Sequence, residues 1–167
     1  AILIPDNLPE IKKETFTQLD KKFLKILFIR MAIIFVISVG GLLTFFIFNK
    51  ENIPNIAKVI ISIVVALVFI SGAVLTILGF PRKGYLVREN DISFQRGLIT
   101  FKQTSVPFNR IQHVEVNQGV LAKIFKLSSI KIFTAGGNAS DLSIPGLPED
   151  VAQNLKAFLS EKISEHE

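Results

Sequence analysis

The sequence predicts an α+β membrane protein: a transmembrane helical hairpin followed by a small antiparallel β domain that a C-terminal helix caps. Three observations carry this. Two apolar runs, 31–48 and 59–80, hold no charged residue, and a short polar segment separates them. At 1.5 Å per helical residue they extend about 27 and 33 Å, matching the ~30 Å hydrocarbon core of a bilayer. After Pro81 the chain changes to short alternating segments broken by Gly, Pro, Asn and Asp, and it ends in one amphipathic helical stripe.

Three parts follow: a cytoplasmic amphipathic juxtamembrane segment (1–30), the two-helix hairpin (31–80) and a domain (84–167). In the first, Pro5-Asp6-Asn7-Leu8-Pro9-Glu10 reads as an extended lead into a helix. Pro9 fits its first turn, and Glu10 lies near the positive end of its dipole. Ile11, Phe16, Leu19, Phe23 and Leu27 then recur at roughly helical spacing, with lysines on the polar surface. This predicts one amphipathic helix running into the first span, with Arg30 at the boundary. The favoured role is a solvated helix that fixes topology. The alternatives are an interfacial helix on anionic lipid and a docking surface for the C-terminal domain or a second protein.

Lys12, Lys13, Lys21, Lys22, Lys25 and Arg30 precede the first run, and Arg82, Lys83 and Arg88 follow the second; the connection carries Lys50 and Lys58. The bias of basic residues towards the cytoplasm puts both termini inside and the connection outside, for a multi-pass membrane protein. The first run has no small-residue cleavage site at its end and reads as an anchor. Within the runs the polar side chains are the hydroxyls of Ser38, Thr44, Ser62, Ser71 and Thr76. The ionisable groups that mark an ion path are absent, so the hairpin holds and packs. Gly40 with Thr44, Ser62 with Ala66 and Gly72 with Thr76 place small residues four apart, which suits close helix approach.

The net charge of +5 across 167 residues fits loops kept on the cytoplasmic side and contact with anionic lipid better than nucleic-acid binding. No cysteine is present, which excludes disulfides, thiolate metal sites and a cysteine nucleophile.

In the domain, 85–88 reads as a strand and Glu89-Asn90-Asp91 as a turn. Ile92, Phe94 and Arg96 alternate with Ser93 and Gln95. Gly97 permits a bend before a strand over 98–106, where Ile99 and Phe101 share a face. Another strand covers 111–116, a short helical turn 119–126 and a strand 130–134. The segment 135–140 turns the chain back into 141–144. Pro145-Gly146-Leu147-Pro148 breaks the sheet. The closing helix over 149–162 carries Val151, Leu155, Phe158, Leu159 and Ile163 on one stripe, with 164–167 frayed.

The ordered series Gly84-Tyr85-Leu86-Val87, Ser93-Phe94-Gln95-Arg96-Gly97-Leu98-Ile99, Val106-Pro107-Phe108-Asn109-Arg110-Ile111-Gln112-His113-Val114-Glu115-Val116, Gln118 to Phe125 and Ile130 to Gly136 resembles the bacterial pleckstrin-homology-like (PH-like) domain of membrane proteins in which two spans precede the domain. The resemblance covers 80–145. It implies a strongly bent antiparallel sheet or barrel capped by a C-terminal helix, in a bacterial membrane. It implies no catalytic residue and no cofactor. Its members often look like subunits of larger membrane assemblies, some beside a protein with repeated related domains. The sequence departs from the pattern at Gly119 and at Lys126, where a glycine is expected.

The residue inventory points away from catalysis. His113 falls out of phase with Val114 and Val116, and neither it nor His166 has companions at metal-ligand spacing. Gly136-Gly137 lacks the lysine and spacing of a phosphate loop. Ser128, Ser129 and Asp141 are not set in a nucleophile elbow. The acidic turn Glu89-Asn90-Asp91 replaces the basic loop that phosphoinositide-binding PH domains use. The expected function is therefore a non-catalytic, membrane-anchored interaction module engaging a second copy or another membrane protein, including one with related PH-like domains. The alternatives are an anionic-lipid-sensing or lipid-handling domain, or an accessory subunit of a transporter or enzyme. Candidate membrane-surface contacts are Lys21, Lys22, Lys25, Arg30, Arg82, Lys83, Arg88 and Arg96; the expected partner besides protein is the lipid bilayer.

Overall fold

The computed structural model describes residues 15–135 and 141–164. Two long apolar helices come first, α1 (Lys21–Phe48) and α2 (Asn55–Gly79). Asp20 caps α1, its carboxylate accepting from the Lys22 backbone N–H at 2.7 Å. At the other end the Asn49 side-chain amide donates to the Phe45 carbonyl at 3.0 Å. α2 opens after Pro54, whose fixed φ suits a helix start, so Asn55 to Lys58 belong to the helix rather than to the connection. Both helices are long and apolar enough to cross a bilayer. Ser38, Thr44, Ser62 and Thr76 donate their hydroxyls to the carbonyl four residues back, which satisfies them without water. Phe35 meets Phe69 edge-on at 4.9 Å, joining the two helices.

With 28 residues, α1 is about 42 Å long, so roughly its first two turns extend beyond a ~30 Å hydrocarbon layer. That extension is not the continuation of a longer amphipathic helix. Phe16 and Leu19 lie in extended chain, and Thr17–Gln18 form a strand, β1. The helical spacing of Phe16, Leu19 and Phe23 misled because strand pairing with the distant domain outcompetes local propensity here. Pro9, Glu10 and Ile11 lie outside the described residues.

β1 joins β2 (Gly84–Val87), β3 (Asp91–Arg96) and β4 (Lys102–Pro107) in one antiparallel sheet, ordered β1-β2-β3-β4. β5 (Ile111–Asn117), β6 (Leu127–Thr134) and β7 (Leu142–Pro148) form a second sheet in chain order. A short helix α3 (Val120–Ile124) links β5 to β6, and α4 (Glu149–Ser164) packs over β5 and β6. The core between sheets and helix contains Ile92, Phe94, Val106, Phe108, Ile130, Ile132, Ile144, Leu147, Ala152, Leu155 and Leu159. This is the antiparallel, helix-capped domain that the alternation predicts. The turn residues 136–140 and the tail 165–167 lie outside the described residues.

Three local outcomes depart from the sequence pattern. β4 starts at Lys102, so Ile99 and Phe101 sit in the β3–β4 connection rather than on a strand face. β7 continues through Pro145-Gly146-Leu147-Pro148 instead of stopping before it. It is an edge strand, where a missing N–H breaks no ladder bond, and a register shift between Ser128 and Ile130 accommodates it. Ser93, which alternation places on the outer face, is fully buried; its hydroxyl lies 2.7 Å from that of Ser105 and donates to Asp91 Oδ2 at 3.0 Å.

Lys126 ends α3 with φ 54°, a left-handed conformation at the position where glycine is expected. Its carbonyl accepts from Glu149 N at 3.3 Å, tying the turn to the start of α4. A Cβ in this region costs about 1–2 kcal/mol. Lys126→Gly is therefore expected to stabilise the domain by about 1 kcal/mol, less the entropy that glycine adds to the unfolded chain, raising Tm by about 2–4 °C in detergent solution. A lower Tm would contradict the strain.

Candidate functional site

The chain leaves α2 through a 3-10 turn, Phe80–Arg82, and enters β2 at Gly84. Phe80 is buried in the domain core, so the turn is fastened to the sheet rather than serving as a free linker. α1 enters the same corner. Gln18 pairs with Gly84 and Thr17 with Tyr85. The Asp20 N–H donates to the Gly146 carbonyl at 3.1 Å. Leu19 is 4% exposed, and Phe23, Leu24 and Leu27 pack on the core. Hairpin and domain are thus joined at two places, by β1 with the start of α1 and by the exit of α2. Of the alternatives for the N-terminal segment, its described part takes the docking one.

Basic residues collect around this corner. Arg82 is exposed and donates Nη1 to the Leu98 carbonyl at 3.0 Å. Lys83 is half-buried, and desolvation, then the neighbouring Arg96 charge, lower its pKa below the ordinary lysine value. Arg96 pairs with Lys102 across β3 and β4. No carboxylate pairs with Lys83, Arg96 or Lys102 within ion-pair distance among the described residues. Two recesses open beside them. One, of about 430 Å³, is lined by Thr15, Phe16, Gln18, Pro81, Lys83, Gly84 and Gln95. The other, of about 210 Å³, is lined by Phe94, Arg96, Lys102, Thr104, Asp141, Leu142 and Ser143. The Asp141 carboxylate is engaged by Thr134, accepting from its hydroxyl and from its N–H at 2.9 Å, and these bonds hold its pKa below the usual value.

The eight basic residues singled out in the sequence do not form one cluster. Arg82, Lys83 and Arg96 come together at the α2 exit. Lys21, Lys22, Lys25 and Arg30 are exposed along the first turns of α1. Arg88 lies at the other end of β2, about 13 Å away by strand length, where it pairs with Asp91 at 3.2 Å. Lys102 was not among them; its register opposite Arg96 follows from a hairpin whose length the sequence pattern overstated. His113 is exposed as its phase predicts, stacked on Phe133 at 4.2 Å with Glu115 3.6 Å away. No group of three potential metal ligands occurs among the described residues.

Comparison with known proteins adds the family context. The bacterial PH domain family matches residues 26–163. The UPF0699 transmembrane protein YdbS of Bacillus subtilis (strain 168) is 34% identical over 105 residues, covering 60% of this chain and 64% of that protein. The UPF0699 transmembrane protein YdbT of the same organism is 24% identical over 122 residues, covering 72% of this chain and 25% of that protein. The chain thus spans less than two thirds of either relative. No solved structure matches it significantly. The similarity to transmembrane proteins and the two long apolar helices identify a membrane protein with a PH-like domain.

Proposed function

This chain belongs to the bacterial PH domain family, and we propose that it is a non-catalytic, membrane-anchored interaction module. The hairpin crosses the cytoplasmic membrane twice with both termini inside. The PH-like domain engages a second copy or another membrane protein, including one with related PH-like domains. The observation that carries this reading is the double fastening of domain to hairpin: β1 pairs with β2, and Leu19 and Phe80 both enter the core. A domain fixed to its anchor in this way keeps one attitude to the bilayer, which lowers the orientational cost of meeting a partner in the same membrane.

The Lys83–Arg96–Lys102 corner, where no carboxylate comes within ion-pair distance among the described residues, favours a second reading, contact with anionic headgroups. A lysine whose charge is already disfavoured by burial and by Arg96 gains from a nearby anion. Lys21, Lys22, Lys25, Arg30 and Arg82 extend the basic surface along the anchor.

Native mass measurement of the protein released from its own membrane tests both readings. The first expects a dimer or a complex with a second membrane protein; a strictly monomeric species without a partner contradicts it. Retained anionic lipids appear as discrete added masses, which Lys83→Ala with Arg96→Ala removes under the second reading. In a chain without cysteine, single cysteines at Asn52 and Asn109 report topology: labelling from opposite faces is expected, and labelling from the same face overturns it.

A further inference from the structure

We propose that the β3–β4 connection is a membrane-inserting tip, with Ile99 and Phe101 seated in the apolar margin of the bilayer beside the exit of α2. The inference rests on the reading that α2 crosses the membrane.

Single exposed apolar side chains are ordinary on a protein surface and carry no message by themselves. These two differ in where they stand. Ile99 is 85% exposed and Phe101 66%, on either side of exposed Thr100, at the end of a hairpin whose strands bury Ile92, Phe94 and Val106. Gly97, with φ 128°, turns the chain so tightly that a Cβ there would meet the Thr100 carbonyl; the connection is therefore a shaped turn. The turn is fastened at the level of the helix end. Leu98 Cβ lies 3.6 Å from where a Gly79 Cβ would be, Gly79 being the last residue of α2. The Arg82 guanidinium holds the Leu98 carbonyl at 3.0 Å.

The tip consequently extends the apolar surface of α2. Leu75 and Leu78, in the last turns of that helix, are themselves exposed. Leu98 meets the helix end at Gly79, Ile99 and Phe101 follow in the same connection, Arg96 and Lys102 flank that connection, and Arg82 and Lys83 lie beside Leu98 and Arg96. Apolar residues foremost with a basic rim behind is the order that a bilayer boundary favours, hydrocarbon first and phosphate after. The β2–β3 turn, with Glu89 at the opposite end of β3, shows the contrasting surface: acidic, exposed and remote from α2.

The full chain contains no tryptophan, so one introduced residue reports its own surroundings. Ile99→Trp and Phe101→Trp, each in the full chain reconstituted into phosphatidylcholine–phosphatidylglycerol vesicles, are compared with Glu89→Trp and with Leu67→Trp in the middle of α2. All four sites are exposed, so the substitutions disturb no core. For the two tip variants the expected result is blue-shifted emission and loss of most intensity when the lipid is brominated near the headgroup end of its chains. Glu89→Trp should keep water-like emission and escape quenching. Tip variants that behave like Glu89→Trp overturn the proposal. Blue-shifted emission without bromolipid quenching also overturns it, since the tip would then be covered by protein. If Leu67→Trp is not quenched by lipid brominated deep in its chains, the spanning reading of the hairpin fails. Quenching at Leu67→Trp alone leaves the hairpin standing and rejects the tip.

Discussion

Gly146→Val is expected to loosen the domain from α1 while leaving the hairpin helical. Gly146 has φ 68°, and a Cβ there would lie 2.5 Å from Phe23 Cγ and 2.7 Å from Phe23 Cβ. Left-handed strain of about 1–2 kcal/mol therefore adds to an overpacking cost of about 1–3 kcal/mol, together about 2–5 kcal/mol. The same residue accepts the Asp20 N–H, so any shift that relieves the clash also pulls on the cap of α1. Hydrogen exchange of the detergent-solubilised protein should show lost protection at Thr17, Gln18 and the first turns of α1, with the middle of both long helices unchanged. Combining the change with Phe23→Ala should recover part of the loss, because the ring is part of the obstacle while the Cβ at 2.7 Å remains. Unaltered protection at β1 would show that the domain is not held to the anchor at this point.

The second large effect is expected at Phe108. It is 1% exposed and meets Phe158 of α4 edge-on, with ring centroids 5.9 Å apart. Its N–H donates to the Asn90 carbonyl at 3.0 Å, so the backbone between the sheets is fixed just where the ring enters the core. Truncating a buried phenylalanine costs about 3–5 kcal/mol, a large share of the stability of a small domain. Phe108→Ala should unfold the β domain at a markedly lower denaturant concentration. Asn109→Ala, at the exposed neighbouring position, should stay within about 0.5 kcal/mol of the parent. Equal behaviour of the two variants would contradict the core assignment.

The fastening at Gly146 and the apolar tip at Ile99 and Phe101 act at one corner. The first ties the domain to α1; beside the second, Leu98 with Arg82 and Phe80 ties it to α2. Both lie at the hairpin end of the domain, whereas the ion pair of Arg88 with Asp91 occupies the far end of β2.

What the sequence determined by itself was the anchor and the class of domain. Runs without charge, long enough for a bilayer, need no tertiary information, because the cost of placing an ion in hydrocarbon is written in composition. Alternation located β3, β5 and β6, and the stripe Leu155, Leu159 and Ile163 located α4, since one-sided burial imposes a period on the residues themselves. The resemblance to the PH-like family also marked Lys126 as out of pattern, and that residue proved to be the one with positive φ among the described non-glycine residues. Tertiary structure decided the rest. Thr17–Gln18 became a strand because β2 offered an unpaired edge, and β7 ran through two prolines because it is itself an edge. Ile99 and Phe101 became a tip, and Lys83 came to face Arg96, because a hairpin closes at Gly97 beside the end of α2. Periodicity reports which face of a segment is apolar, whereas these features depend on which distant segment meets that face.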